Sequence, residues 1–155
     1  MVVFVMKKTI LVTGRENSGK SNTIALLYES LVKFQSNHIF NGRNVEGRQI
    51  TFPIAKGEDF SAVFTLKDNL KIGLISCGDS LSMFESDFDS IKNDTDILIC
   101  VSRTSIQRNS VYKYVIEEMP NMGFQLQLNL CTFASSDKSE MQRNIVNVIL
   151  NFLNL

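Results

Sequence analysis

Apolar and polar positions along this 155-residue chain fall into segments with distinct periods. Thr9-Ile10-Leu11-Val12 is a compact apolar run and predicts a strand. Ile24, Leu27, Tyr28 and Leu31 then recur at i, i+3, i+4 and i+7, which predicts a helix with one apolar face to about Phe34. Residues 37–57 are polar and turn-rich, punctuated by Asn41-Gly42 and Pro53, and predict a long loop of the functional or mobile kind. Clean alternation follows. Phe60, Ala62, Phe64 and Leu66 share one face, a turn at Lys67-Asp68-Asn69 intervenes, and Leu70 to Ser76 runs back as the second arm of an antiparallel hairpin.

The second half alternates strand and helix. Residues 80–92 predict a short helix. Asp96-Ile97-Leu98-Ile99-Cys100-Val101 is continuously apolar, as a central strand covered on both faces should be. Val111, Val115, Ile116 and Met119 mark another helix, expected to end at Pro120. Phe124, Leu126, Leu128 and Leu130 alternate with Gln125, Gln127 and Asn129, which predicts a strand with one wet face near a sheet edge. Met141, Ile145, Val148, Ile149 and Phe152 form the closing helix. This order predicts an α/β three-layer sandwich with a mostly parallel sheet and one antiparallel hairpin. No repeat or linker divides the chain, so residues 1–155 read as one domain.

Parallel sheets of this kind bind ligands at the carboxyl ends of their strands. That rule gathers residues 14–21, 76–80, 102–105 and 132–137, all rich in hydroxyls, charges or glycine. Any one of them could be polar only because it is a loop; together they suggest a site. In the first lies Gly14-Arg15-Glu16-Asn17-Ser18-Gly19-Lys20-Ser21, which fits G-x-x-x-x-G-K-[ST], the phosphate-binding loop, at every fixed position. Its glycines let successive backbone N–H groups turn inward to cradle phosphate oxygens. The following helix, with Asn22 in its first turn, adds unpaired donors and a positive dipole end. Lys20 supplies a point charge for β- and γ-phosphates, and the Ser21 hydroxyl a ligand for Mg²⁺.

Composition narrows the alternatives. Sixteen acidic and sixteen basic residues cancel, so no long-range field calls for nucleic acid or an anionic membrane. Three cysteines without paired spacing fit reduced, buried thiols in a cytoplasmic protein, and one histidine without C-x-x-C argues against a zinc site. His38 reads as a solvated loop residue. The apolar residues 1–6 precede Lys7 and Lys8 and are too few to span a bilayer; they read as a strand extension or a leader before an alternative start at Met6.

The chain resembles the P-loop NTPase superfamily, specifically over residues 8–32 and loosely, by element order, beyond them. Gly14, Arg15, Asn17, Gly19, Lys20 and Ser21 look like the G-R-x-N-x-G-K-S loop of Era-like GTPases. The resemblance implies the P-loop NTPase fold, a bound nucleotide and Mg²⁺. Two features of those GTPases are missing. No N-K-x-D box follows a late strand, where Leu130-Cys131-Thr132-Phe133-Ala134-Ser135 stands instead, so guanine specificity loses its warrant and adenine or relaxed specificity becomes the default. D-x-x-G is also absent after the hairpin, where the chain reads Ile75-Ser76-Cys77-Gly78-Asp79-Ser80. Asp79 then supplies the magnesium carboxylate from a displaced position, or caps the next helix, or Ser76 takes the place and water completes the shell. Asp59 is an alternative magnesium or water-positioning carboxylate, with a capping or surface role as its first reading. Arg103 resembles, by position, the polar residue that senses the γ-phosphate in relatives; a surface salt bridge is its other reading.

These features predict an Mg²⁺-dependent hydrolase of ATP, with Lys20, Arg103 and Asp79 as candidate catalytic residues. A small kinase is the alternative, with Arg43, Arg48, Arg103 and Arg108 as acceptor contacts. A non-hydrolysing, nucleotide-responsive module that works with a protein partner is the third reading.

Overall fold

The computed structural model describes residues 6–15, 19–34, 37–55, 57–103, 110–132 and 137–155. The apolar run after Lys8 forms β1 (Lys7–Gly14), in which Ile10, Leu11 and Val12 are all buried because both faces of the strand are covered. The i, i+3, i+4 stripe forms α1 (Lys20–Phe34), with Ile24, Leu27, Tyr28 and Leu31 turned inward. Three strands follow, β2 (His38–Arg43), the two-residue β3 (Gln49–Ile50) and β4 (Asp59–Thr65), and then β5 (Lys71–Ile75). Ser80 caps α2 (Leu81–Ile91), its hydroxyl accepting the Met83 N–H, as serine at an N-cap does. The continuous apolar run is β6 (Ile97–Arg103). After it come α3 (Val111–Lys113), the half-polar strand β7 (Phe124–Cys131) and α4 (Lys138–Phe152), capped by Asp137.

These strands form one sheet in the order β3-β2-β4-β5-β6-β1-β7. As the alternation predicts, β4 and β5 are an antiparallel hairpin and β7 is an edge strand. The expected mostly parallel sheet needs correction. β5, β6, β1 and β7 are mutually parallel, but β2, β3 and β4 add three strands by antiparallel pairing, so the sheet is mixed. The reason lies in residues 37–57, read as a loop. Asn44 accepts the N–H groups of Glu46 and Arg48 through its side-chain oxygen and so turns the chain back on itself. This turn pairs β3 with β2 and extends the sheet.

Helices cover both faces. On one, α1 and α4 bury Ile24, Leu27, Leu31, Ile145 and Ile149 against Ile10, Val12 and Ile99. On the other, Phe84 and Phe88 of α2 pack with Val111, Tyr114 and Val115 against Leu11, Leu98 and Cys100. Fully burying an aliphatic or phenyl side chain of this kind contributes about 1.5–3 kcal/mol. No helix of the described residues is long and apolar enough to cross a membrane.

Three local expectations are also revised. His38 is half-buried in β2: its ring stacks on Phe64 and its Nε2 shares a hydrogen bond of 2.5 Å with the Tyr28 hydroxyl. Pro120 does not end its helix. The segment continues from α3 as a π-helical turn over Tyr114–Glu118 and a 3-10 turn over Met119–Met122, the latter admitting proline where no N–H is required. Cys77 and Cys100 are buried as expected, but Cys131 is exposed, because it ends the edge strand β7.

Candidate functional site

Gly14 closes β1 and stands beside Arg103 of β6 in the sheet register. The chain enters α1 at Lys20, whose side chain is buried although it is a cation at the first helical position. Its ammonium donates to the Arg15 carbonyl at 2.7 Å, so the lysine reaches back across the loop it terminates. Gly19 adopts φ +93°, a left-handed conformation that glycine takes without penalty. Thr23 secures the turn, its backbone N–H and its hydroxyl both donating to the Gly19 carbonyl. Glu16, Asn17 and Ser18 of the motif lie outside the described residues, as do Thr104, Ser105, Arg108 and residues 133–136.

A second helix braces this turn. The Gln142 amide of α4 donates to the Gly19 carbonyl at 3.4 Å, and a Cβ at Gly19 would come within 2.5 Å of that nitrogen. Beside the loop opens a cleft of about 700 Å³ that contains Lys20, Ser21 and Asn22 from α1 and Lys138 from the start of α4. Its other side carries Glu58, Asp59 and Asp79. A hollow of about 750 Å³ at the β2–β3 edge, beside Phe40, Ile50 and Pro53, is lined by no cation among the described residues.

The acidic side is built from the carboxyl end of β5 and the head of β4. Ser76 is fully buried and locks these strands together: its Oγ accepts the Phe60 N–H at 2.8 Å and donates to Asp59 Oδ1 at 3.3 Å. Gly78 sits so close to β6 that a Cβ there would lie 2.6 Å from the Val101 carbonyl, so only glycine lets the chain pass. Asp79 then reaches the Arg103 guanidinium, which donates to it from Nε at 2.8 Å. The capping role considered for Asp79 belongs to its neighbour Ser80.

Burial raises the Asp59 pKa above the ordinary carboxylate value. Arg43 and the Ser76 hydroxyl oppose that rise, while Asp87 and Asp79 add to it. Arg43 itself is held by Asp87 of α2 through two parallel hydrogen bonds of 2.6 and 2.8 Å. The Cys77 thiol nearby is pushed up by burial first and by the Asp59 charge second, which keeps it protonated and unreactive.

The cleft therefore brings together Gly19, Lys20, Ser21, Asn22, Asp59 and Asp79, and Arg103, beside Gly14 in the sheet register, pairs with Asp79. Arg43 instead ties β2 to α2, and Arg48 pairs with Glu46 on the surface. Lys138, Gln142 and Glu58 were missed by sequence reasoning. Lys138 had a signal, since it follows directly on residues 132–137, already expected at the carboxyl edge. Glu58 and Gln142 had none, because nothing in the local pattern separates them from surface residues. Comparison with known proteins matches the chain to no family model, no curated protein and no solved structure.

Proposed function

We propose that the cleft beside residues 14–21 binds a nucleoside triphosphate, ATP rather than GTP, and hydrolyses it with Mg²⁺ as cofactor. The observation that carries this reading is the place of Lys20. It is a buried ammonium at the N-terminus of a 15-residue helix, where the helix dipole opposes a positive charge. An anion seated at that end relieves both, and a polyphosphate matches the loop's pattern of glycines and hydroxyl.

Magnesium fits the donors here in its usual mode, in which one or two protein oxygens join phosphate oxygens and water. No cluster of three or more His, Cys, Asp or Glu able to hold a metal alone occurs among the described residues. Ser21 and a carboxylate of the acidic side would hold the ion. Asp59 is favoured for this, because Asp79 is engaged by Arg103 at 2.8 Å while Asp59 receives only the longer Ser76 contact. When bound, the ion neutralises charge on the transferring phosphoryl group. Lys20 neutralises the β- and γ-phosphates, and Arg103, beside Gly14, faces the developing charge once Asp79 releases it.

The Arg103–Asp79 pair also favours a second reading, a nucleotide-responsive binding module, because it occupies two groups that turnover would require. One experiment separates the readings. Thermal unfolding is followed with Mg·ATP, Mg·GTP and the diphosphates, alongside phosphate release. A shift with Mg·ATP and acceptor-independent release, both lost in Lys20→Ala, support the hydrolase. A shift without release supports the module, and no shift for any nucleotide removes both.

A further inference from the structure

We infer that Lys138 is a second phosphate-binding cation, delivered to the cleft by α4. The inference rests on the reading of the cleft as a polyphosphate site. Two helices begin at this cleft, α1 at Lys20 and α4 at Lys138, and each has lysine as its first residue. Each lysine therefore starts at the positive end of a helix dipole, and the two helices pack on the same face of the sheet. Of the charged residues at the start of α4, Asp137 accepts the Glu140 N–H, and Lys138 lines the cleft.

The helix is held in place for this purpose. Gln142 lies one turn after Lys138, so the two side chains share a face of α4. Gln142 donates to the Gly19 carbonyl, the last peptide before Lys20, and a Cβ on Gly19 would displace that amide. Lys138, one turn nearer the helix start, is thus carried past the loop to the cleft itself. Two cations lining one cleft and two positive helix ends match a ligand with several adjacent negative charges. The ligand class is a condensed phosphate, as in a nucleoside triphosphate, and the contact is to phosphate rather than base.

The test is calorimetric titration of Mg·ATP, Mg·GTP and magnesium tripolyphosphate into the wild type, Lys138→Ala, Lys138→Arg and Lys20→Ala. Lys138→Ala weakens all three by about tenfold, the scale of one charge-assisted contact. Lys138→Arg restores binding, and the ligand-free unfolding midpoint stays unchanged in both. Wild-type affinity in Lys138→Ala, with binding abolished in Lys20→Ala, overturns the inference and leaves the cleft reading standing. A loss confined to the nucleotides, with tripolyphosphate unaffected, overturns the phosphate assignment. Failure of the wild type to bind any of the three removes the cleft reading and the inference together.

Discussion

Arg103 donates from Nε to Asp79 Oδ1 at 2.8 Å, joining the end of β6 to the loop after β5. Because β6 lies between β1 and β5, that loop begins two strand spacings, about 10 Å, from the strand that carries the phosphate loop. The pair is therefore how Asp79 is tethered near residue 14. Both partners are substantially exposed, so the pair contributes only about 0–1 kcal/mol to the fold. An arginine in so exposed a pair can exchange its carboxylate for a phosphate.

The first prediction follows from that weak hold. Arg103→Ala should leave the urea unfolding free energy within about 1 kcal/mol of wild type. Nucleotide turnover should fall by about tenfold to a hundredfold, with a much smaller change in affinity. Unchanged turnover would leave Arg103 as a surface pair only.

Asp59 carries the second. Its pKa is raised by burial, so the folded state favours the protonated form. Ionisation therefore subtracts stability as pH rises from the unfolded value of about 3.9 through the higher folded one. Asp59→Asn removes this penalty while keeping an oxygen for the Ser76 hydroxyl. The variant should match wild type below about pH 3, where both are neutral, and show the higher unfolding midpoint at pH 7. Its stabilisation by Mg·ATP should at the same time shrink. A midpoint difference that does not vary with pH would refute the electrostatic explanation.

The third concerns Gly19, where two costs can be separated. Gly19→Ala meets a left-handed φ, worth about 1–2 kcal/mol, and a clash with Gln142 Nε2. Gln142→Ala in the same chain should relieve the clash and leave the backbone cost. A double-mutant cycle by chemical denaturation should thus give a favourable coupling of about 1 kcal/mol. Strict additivity would show that Gln142 does not press on the loop.

The sequence speaks clearly where one force dominates. The stripe of Ile24, Leu27 and Leu31 and the unbroken apolar run of β6 are answers to burial alone, so period and continuity reveal them. The motif at residues 14–21 is legible because its glycines, lysine and serine each have a backbone or charge role at a fixed spacing. What was not legible depends on partners distant in sequence. β2 exists because Asn44 turns the chain and β4 receives it; His38 is half-buried because Tyr28 and Phe64 meet it there. Gln142 touches Gly19 across 123 positions, a contact that no local period encodes.

The last prediction tests that kind of distant contact directly. Arg43 ends β2 and Asp87 lies on the inner side of α2, and their two parallel hydrogen bonds join the antiparallel half of the sheet to the helix beneath it. The Arg43 side chain is 22% exposed and that of Asp87 9%, so removing either leaves a largely buried, unmatched charge. Arg43→Ala and Asp87→Ala should each cost about 2–4 kcal/mol in chemical denaturation. Arg43→Met combined with Asp87→Leu should recover most of that loss, because an apolar pair of similar volume avoids the desolvation of both charges. Arg43 also opposes the rise in the Asp59 pKa, and its loss moves that carboxyl further up. Arg43→Met alone, which keeps the Asp87 charge, should therefore bind Mg·ATP more weakly than wild type at the acid end of its stable range, and the deficit should narrow as pH rises and Asp59 ionises. Equal affinity at every pH would confine the ion pair to a purely structural role.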